Sequence, residues 1–511
     1  MRTAALTLIA ILLIAFSLPA LERQSPIQLP WKEAGLSERE AAAHLLNRFA
    51  YGPRPGEVEA VVKMGLDRWL ERQLAADLPD RELERRLDAL PALEMSASEI
   101  ARTYPPPGLL LLEARRAGVI QEGEKQERRG EVLQWAEEQG YRSHRELAGQ
   151  LMAQKLWRAV ESENQLAEVM TDFWFNHFNV SMTDNQSRGH LLSYERDAIR
   201  PNALGEVRDL LGATARHPAM LLYLDNARSN ARRGLNENYA RELMELHTLG
   251  VDGGYTQKDV VEVARAFTGW TVQLRDGSFI FRRGGHDSGA KTVLGHKLPG
   301  RGIEDGEAVL DLLAVHPSTA KHLSTKLAVR FVSDKPSPAL VDRLAAVYLQ
   351  GGGEVRPVLR AIAESPDFWG SVGEKIKSPF ELAASAVRGL DGDVREPRET
   401  LRRIADMGQK LYAYQAPTGY PDRAEAWVST GSLASRMSFG LDLAAGRVRG
   451  VDFELAPVTG SREEVLRAWG ERLLPGRDLK PALALIEPKI EGTRPEQVAG
   501  VILGSPEFQR R

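Results

Sequence analysis

The sequence predicts a mainly α-helical protein, built as a large multi-helix globular domain with a short β-hairpin insertion. Helix-start signals recur along the chain, and each precedes a stretch with apolar residues three and four positions apart. Short β-favouring runs beside glycine occur convincingly in one place, residues 276–296. The composition, 43% hydrophobic and 27% charged, is typical of a folded globular protein.

The amino terminus has the three parts of an export signal. Arg2 gives it a positive start, residues 4–16 form an apolar run, and small residues follow as a cleavage site. We therefore predict a signal peptide over residues 1–20 and a periplasmic or secreted protein. An uncleaved membrane anchor is the alternative, but Ser17 and Pro19 interrupt the run, and a span needs about 20 apolar residues.

The chain contains no cysteine, so it has no disulfide, no thiolate metal site and no cysteine nucleophile. Lys plus Arg total 67 against 70 for Asp plus Glu, which leaves no overall charge to attract nucleic acid or an anionic membrane. We expect neither as a partner, apart from the membrane contact of the signal segment. The sequence also lacks the H-E-x-x-H, G-x-S-x-G, Walker and EF-hand patterns.

After the predicted signal segment, the helical pattern divides into parts that we expect to form one continuous domain. They are an N-terminal helical part (36–160), a central helical core (161–275), the hairpin insertion (276–296) and a C-terminal helical part (297–511). Capping-box spacings mark helix starts at Ser37–Glu40, Ser143–Glu146, Ser162–Gln165 and Thr256–Asp259. In the C-terminal part, residues 321–349 and 355–364 have the pattern of amphipathic helices.

An apolar helical stripe in the central core ends on a histidine. Its members are Leu166, Val169, Met170, Phe173, Trp174 and His177. A histidine at such a position is usually a core residue bonded to a carbonyl. The functional alternative is a ligand or proton carrier at a helix C-terminus, with Asn176 beside it as a substrate-binding group.

The stretch 236–250 groups polar side chains on one side of a helix that also has a strong apolar face. On a helical wheel, Asn238 and Glu245 nearly superimpose, with Arg241 and Glu242 flanking them. The two carboxylates could serve as acid and base or as ligands of a hard metal ion. Alternatively the block is a salt-bridged seam, because Arg241 has i, i+4 spacing to Glu237 and to Glu245.

The insertion contains β-favouring runs at Ser278–Phe281 and Lys291–Leu294, which flank a Gly-rich connection. We expect a hairpin or an ordered loop there. His286 and Asp287 lie at its tip, where neighbouring glycines let the backbone approach a ligand closely. Alternatively Asp287 only makes a turn and His286 is exposed. If the loop folds back over residues 238–245, the imidazole, guanidinium and carboxylates converge in one pocket.

The segment YQAPTGYPDRAEAWVSTG, which begins at Tyr414, places several aromatic side chains around proline and glycine. Tyr420 and Trp427 could line a cleft and stack on sugar rings or on a peptide. Core packing of an ordered loop is the alternative use of the same rings.

These residues belong to segments that together resemble a known bacterial family, catalogued as domain of unknown function family 1800. The similar segments include HLLNRFAYGPRPGE (44–57), MTDFWFNHFNV (170–180), NENYARELMELHTLGV (236–251), YTQKDVVEVARAFTGW (255–270), HDSGAKTVLG (286–295), KSPFELAASAVRGL (377–390), AWVSTGSLASR (426–436) and SPEFQ (505–509). The sequence departs from the family where Tyr420 stands in place of a tryptophan, which weakens a stacking role at that position.

The resemblance implies an exported, mostly helical protein whose family has no established catalytic residues. It also implies a partner, because such proteins are commonly paired with a second exported family that looks like phosphatases or sulfatases.

Two functions from different classes follow. The first is an extracytoplasmic hydrolase or lyase that acts on a polysaccharide or a modified glycan. Its proton carriers would be His177, Glu242, Glu245 and His286. Its substrate-binding residues would be Asn176, Asn238, Arg241, Asp287, Tyr420 and Trp427. A divalent metal ion is a candidate cofactor, with no ligand set assigned. The second is a non-catalytic binding or assembly protein of the cell envelope, which works with a paired exported enzyme.

Overall fold

The chain is mainly α-helical, as predicted, in a computed structural model that describes residues 26–121, 129–273, 276–477, 480, 484, 487 and 494–511. The predicted signal peptide, residues 1–20, lies outside the described residues. The helices of the first part are α1 (Glu38–Phe49), α2 (Glu57–Met64), α3 (Leu66–Ala75), α4 (Arg81–Leu87), α5 (Ala97–Thr103), α6 (Pro107–Arg116), α7 (Arg129–Glu138) and α8 (His144–Glu161).

The central part adds six α-helices and two π-helices. The α-helices are α9 (Gln165–His177), α10 (Leu191–Ser193), α11 (Val207–Arg216), α12 (Pro218–Tyr223), α13 (Asn238–Glu242) and α14 (Gln257–Ala266). The π-helices are Tyr194–Ile199 and Leu243–Thr248, and the second continues directly from α13.

The C-terminal part is again helical. Its helices are α15 (Ile303–Ala314), α16 (Pro317–Phe331), α17 (Pro338–Gln350), α18 (Val355–Ala363), α19 (Pro366–Gly370), α20 (Pro379–Gly389), α21 (Arg398–Asp406), α22 (Thr430–Ala444), α23 (Arg462–Leu473) and α24 (Pro495–Leu503). Short 3-10 turns lie at Pro91–Leu93, Arg188–His190, Arg200–Asn202, Asn226–Arg228, Arg283–Gly285 and Ala424–Ala426.

Three of the four predicted helix starts are confirmed. Ser37 and Thr256 form complete capping boxes, and the Ser143 hydroxyl accepts from the Glu146 backbone N–H. The start at Ser162 is wrong, because α9 begins after Asn164. The Ser162 hydroxyl instead donates to Asp80 Oδ2 at 2.6 Å. A long-range partner thus replaces the local cap that the spacing indicated.

The predicted hairpin is replaced by two hairpins. Strand β1 (Trp270–Val272) pairs antiparallel with β2 (Phe279–Phe281), and β3 (Lys291–Val293) pairs antiparallel with β4 (His296–Leu298). The two predicted strand runs are present, but each pairs with a nearer segment and not with the other. A third small ladder joins β5 (Asp393–Val394) to β6 (Val451–Asp452).

Most buried apolar side chains form one large cluster that includes residues from Ile27 to Phe508, and a small second cluster contains Ala114, Ile120 and Val132. The α9 stripe lies inside the large cluster, with Leu166, Val169 and Trp174 fully buried. The N-terminal, central and C-terminal parts therefore share a core. None of the helices in the described part of the chain is long and apolar enough to cross a bilayer.

Candidate functional site

A cavity of about 410 Å³ opens between α9 and α16 and lies under the irregular segment 409–427. Helix α9 contributes Asp172, Phe173, Phe175, Asn176 and His177 to its wall, and α16 contributes His322, Thr325, Lys326, Val329 and Arg330. The remaining lining is Lys155, Asn179, Ser378, Gln409, Leu411, Tyr412, Thr418, Tyr420, Pro421, Asp422, Arg423 and Trp427. We call this cavity the central pocket. Its volume is in the range of small-molecule binding sites.

Two asparagine amides fasten the segment 409–427 to the end of α9. Asn176 Nδ2 donates to the Tyr420 carbonyl at 2.8 Å, and the Tyr420 N–H donates to Asn176 Oδ1 at 2.7 Å. Asn179 Nδ2 donates to the carbonyls of Tyr414 at 3.0 Å and Ala416 at 2.8 Å. Asn176, predicted as a substrate-binding residue, therefore has both ends of its amide engaged in holding the pocket wall.

The fastened segment places aromatic rings along the pocket. The Tyr420 ring centroid lies 4.6 Å from that of Tyr414 and 5.7 Å from that of Trp427. The Tyr420 hydroxyl donates to the Lys410 carbonyl at 2.9 Å, which fixes the direction of the ring. Tyr420 and Trp427 thus line the cavity, as the stacking hypothesis requires, and they also pack against each other.

Two histidines of the pocket lining, His177 and His322, lie close to a third, His247, which is buried and is not part of the lining. His177 Nε2–H donates to the His247 carbonyl at 3.1 Å, and His322 Nε2–H donates to the Leu246 carbonyl at 3.1 Å. The His177 ring centroid lies 6.0 Å from that of His247 and 6.2 Å from that of His322. His177 is therefore a core histidine bonded to a carbonyl, the first of its two predicted readings, and it also lines the cavity. Its role as a ligand or proton carrier stays a prediction.

Burial keeps these histidines neutral. It lowers the pKa of His322 to about 4 and that of His247 to about 3, and the charge of Lys326 adds to both shifts. Burial and Lys326 also hold the pKa of His177 well below its usual range. Among the residues that the structure describes, His177 Nδ1 and His247 Nε2 have no hydrogen-bond partner. Neutral imidazoles with a free ring nitrogen can accept a proton.

Lys326 brings a half-buried amine to the pocket. It lies one helical turn from His322 on α16, and burial lowers its pKa to about 8, although Asp422 opposes the shift. No hydrogen bond or ion pair holds its amine within the described part of the chain. A buried ammonium without such a partner costs free energy.

Lys155, a second lysine of the pocket, has the opposite environment. Its Nζ lies 2.7 Å from Asp172 Oδ1 and 3.6 Å from Glu195 Oε2. Burial alone would lower its pKa, but the two carboxylates outweigh that effect and raise it. Glu195 is held in turn by Arg200 at 3.0 Å and by the Tyr412 hydroxyl at 2.7 Å. Lys155 therefore belongs to a closed ionic network.

The part of the pocket wall around Asp422 is also held by ion pairs. Asp422 Oδ1 lies 3.7 Å from Lys375 Nζ and 3.8 Å from Arg511 Nη2, and Asp422 Oδ2 lies 3.9 Å from Arg330 Nη1. Arg423, next in the chain, is exposed at the pocket wall. It makes no ion pair in the ranges that the structure covers. The pocket thus presents an available ammonium and an available guanidinium.

The predicted carboxylates are not in the pocket. Glu242 and Glu245 are half-buried, and burial followed by the charge of Glu245 raises the pKa of Glu242. Tyr255 Oη donates to Glu245 Oε2 at 3.5 Å. Arg241 pairs with Glu237 at 3.1 Å, which is one of the two salt bridges of the seam hypothesis. Asn238 is exposed.

The predicted loop residues occupy a third environment. His286 Nδ1–H donates to the Thr268 carbonyl at 2.8 Å, and its Nε2 lies 3.5 Å from Asp305 Oδ2. Asp287 accepts from Arg265 Nε at 2.8 Å. Lys291 completes the cluster, because its Nζ lies 2.8 Å from Asp305. His286 is buried and Asp287 is paired, so this loop is anchored to α14 and α15.

The prediction of one site shared by all three segments is therefore wrong for the pocket that the structure describes. That pocket is lined by Asn176, His177, Tyr420 and Trp427 of the predicted set and not by Asn238, Arg241, Glu242, Glu245, His286 or Asp287. The physical reason is that each of the last two groups finds partners close by. The helix 238–248 meets the pocket only through the carbonyls of its last turn.

Sequence reasoning missed His247, His322, Lys326 and the Lys155 network. A weak signal was available on α16, where His322, Lys326 and Arg330 recur every four residues along a helix with an otherwise apolar face. Such a polar row on a buried face marks a cavity or an ionic contact. For a metal ion, no group of three or more His, Asp or Glu side chains suits coordination among the residues described.

Comparison with known proteins places the pocket inside a family. Residues 44–510 match the family model described as "Protein of unknown function (DUF1800)". No curated protein and no solved structure gives a match. The matched range includes α8, α9, α16 and the segment 409–427, so every wall of the central pocket belongs to the family region.

Proposed function

The chain belongs to the DUF1800 family, and we propose that its central pocket binds a glycan bearing an acidic group, on which the protein acts outside the cytoplasm as a hydrolase or lyase. The observation that carries the proposal is the half-buried Lys326 amine, which lines the cavity and makes no hydrogen bond or ion pair with the residues that the structure describes. A carboxylate or sulfate of the ligand would supply that partner and would offset the cost of the buried charge.

A second cation, Arg423, supports the proposal that the ligand is acidic. Arg423 lies at the exposed part of the wall, where its guanidinium can make paired hydrogen bonds to a planar carboxylate or to a sulfate. Lys155, in contrast, is saturated by Asp172 and Glu195 and is not available to a ligand. In the pocket, Lys155 is therefore paired with carboxylates of the protein. The two further cations, Lys326 and Arg423, make no ion pair with the residues that the structure describes.

The aromatic side chains of the pocket wall support the proposal that the ligand is a carbohydrate. Tyr420 and Trp427 present flat rings with polar edges, a surface that suits the mixed apolar and hydroxylated faces of a sugar. Tyr420 has the same amphipathic character as the tryptophan that the family resemblance leads one to expect at that position. The asparagine contacts of the segment pre-organise this wall, which reduces the entropy lost on binding.

Turnover of the bound glycan rests on proton carriers inside the pocket. His177 is neutral and lines the cavity, so it keeps the proton-carrier role that the sequence suggested. Glu242, Glu245 and His286 lie outside and are not part of this proposal. The extracytoplasmic location rests on the signal sequence over residues 1–20, which is outside the described residues.

Calorimetric titration with three oligosaccharide sets tests the proposal: uronate-containing, sulfated and neutral. We expect the acidic sets to bind and the neutral set to bind at least about tenfold more weakly, since one charged hydrogen bond is worth about 1.5–3 kcal/mol. Lys326→Met should remove that preference. Lys321→Met is the matched control, because Lys321 lies on the same helix with 67% of its side chain exposed.

Glu242→Gln and Glu245→Gln should keep the affinity of the unaltered protein, since both side chains lie outside the pocket. The proposal fails if no acidic glycan binds, or if Lys326→Met binds as tightly as the Lys321→Met control. Stable association with a second exported protein, together with no glycan binding, would favour the assembly alternative.

A further inference from the structure

Resting on the proposed function, we infer that the substrate is a uronic-acid glycan and that the pocket cleaves it by β-elimination, with the Lys326 amine as the base. Elimination removes the proton at C5 of the uronate, next to its carboxylate, and expels the glycosidic oxygen from C4. The reaction needs a base, a cation to hold the carboxylate, and a proton for the leaving oxygen. It needs no water, oxidant or reductant.

Hydrolysis fits the described lining less well. Glycosidases generally use two carboxyl groups that flank the scissile bond, one of them protonated. The lining contains two carboxylates, and each faces cations, since Asp172 lies 2.7 Å from Lys155 Nζ and Asp422 has three cations within 3.9 Å. Both carboxylates are thus engaged by cations of the protein, and neither is free to face a glycosidic bond as this mechanism requires.

Lys326 has the properties of the base. It lines the cavity one turn from His322 and is faced by His177 and His247 from two other segments and by Asp422 from the loop. The three histidines are neutral, so they do not stabilise an ammonium, and the paired Asp422 only partly offsets burial. A pKa of about 8 leaves a neutral fraction of the amine near neutral pH. The charged form contributes to binding of the acidic ligand, and the neutral form acts as the base when the uronate carboxylate is paired with Arg423 alone.

The step balances without an external reagent. Lys326 Nζ takes the C5 proton, and the electron pair of that C–H bond forms the C4=C5 double bond. The C4–O bond breaks, its electron pair leaves on the oxygen, and the Lys326 ammonium returns the proton there. Negative charge that develops on the uronate carboxylate is held by the Arg423 guanidinium at the pocket wall. The products are an unsaturated uronate and a free hydroxyl.

The test is incubation of the full chain with the uronate oligosaccharides that bind in titration. We expect products with the ultraviolet absorbance of a conjugated double bond, and fragment masses that sum to the substrate mass without an added water. The value of kcat/KM should rise with pH through an ionisation near 8, because kcat/KM reports the free protein, and deuterium at C5 should lower it.

Lys326→Arg separates binding from chemistry. It keeps a cation in the pocket but loses a group that can release its proton, so affinity should persist while turnover falls about 10²- to 10⁴-fold. Lys321→Arg, on the exposed side of the same helix, should keep both. Absence of binding overturns the proposed function. Binding with fragments that contain added water, with no cleavage, or with undiminished turnover in Lys326→Arg overturns the elimination alone.

Discussion

Lys155 and Lys326 line the same pocket, yet their environments shift their pKa values in opposite directions. Lys155 is buried against Asp172 and Glu195, and the pairing raises its pKa. Lys326 is half-buried beside neutral histidines, and its partial loss of solvent lowers its pKa to about 8. A fold optimised only for stability would place an apolar side chain at position 326. A local violation of this kind is typical of functional sites.

Lys326→Met should therefore stabilise the fold. The folded pKa of Lys326 is about 8, below that of an unfolded lysine, so the unfolded state binds the extra proton between these values. The wild-type free energy of unfolding thus falls as the pH drops from about 10.5 to about 8 and stays reduced below that. Removing the amine should raise the free energy of unfolding at pH 7 by about 1–3 kcal/mol.

Urea denaturation at pH 7 measures this change, and the gain should shrink towards pH 10. Lys155→Met is the contrasting control, because it removes the cation that pairs with Asp172 and lies beside Glu195, and it should cost about 3–5 kcal/mol. A loss of stability in Lys326→Met would show that Lys326 is a structural residue and not an uncompensated one.

Single residues were predictable where a local pattern placed them. His177 ends an apolar stripe at helical spacing, and Tyr420 with Trp427 marks an aromatic loop, so the sequence pointed to three residues that line the pocket. Lys326 was not predicted. Its environment is created by α9 and the segment 409–427, which are far from it in sequence, and spacing along one helix contains no information about them.

At the scale of elements, the pocket depends on an irregular segment that two side chains fix in place. Asn176 lies in the last turn of α9 and Asn179 lies two residues beyond its end, so the segment is positioned by the end of this helix. Gly419 lies at the point of closest approach. Its φ is +69°, and a Cβ there would lie 2.1 Å from the Asn176 carbonyl oxygen.

Gly419→Ala should displace the aromatic wall. A side chain at this position meets both a strained backbone conformation and a backbone oxygen, so the variant should lose more than about 1 kcal/mol of stability. Glycan affinity should fall with it, because the segment carries Tyr420 and Trp427. Gly431→Ala is the matched control, since a Cβ there meets nothing within 4 Å. Calorimetry measures the glycan affinity of the two variants, and thermal unfolding measures their stability. Equal affinity and equal stability of the two variants would contradict the role assigned to Gly419.

The change from an α-helix to a π-helix explains why Glu242 and Glu245 do not lie where the helical wheel placed them. A helical wheel assumes one regular α-helix over residues 238–248, whereas α13 ends at Glu242 and a π-helix runs from Leu243 to Thr248. The i to i+5 bonding widens each turn and rotates the later side chains relative to the earlier ones. Thr248 Oγ1–H donates to the Leu243 carbonyl at 2.6 Å, a bond of this wide turn. The pattern of apolar residues does not reveal such a change.

At the scale of the whole molecule, the fold class was the easiest property to predict from the sequence. The meeting of distant segments at one site was the hardest to predict. Helical periodicity and capping are local, so the mainly α-helical fold follows from the sequence. The joint burial of Lys326, His177 and His322 is set by tertiary packing. The shared core from Ile27 to Phe508 brings their helices together, and it also withholds water from the histidines.

This shared burial predicts that the protein loses stability in mild acid. His322 and His247 have folded pKa values of about 4 and about 3, and that of His177 is well below 6.5, so unfolding lets all three bind protons. As the pH falls from about 6.5 to about 4, the free energy of unfolding should decrease, by about 1–2 kcal/mol for each such histidine at pH 5. Urea titrations at pH 7 and pH 5 measure the loss. His322→Gln should reduce it, and His296→Gln, at an exposed position, should not. Equal stability at the two pH values would mean that the three imidazoles take up protons as readily in the folded protein as in the unfolded chain, which would remove the neutral surroundings that make Lys326 a base.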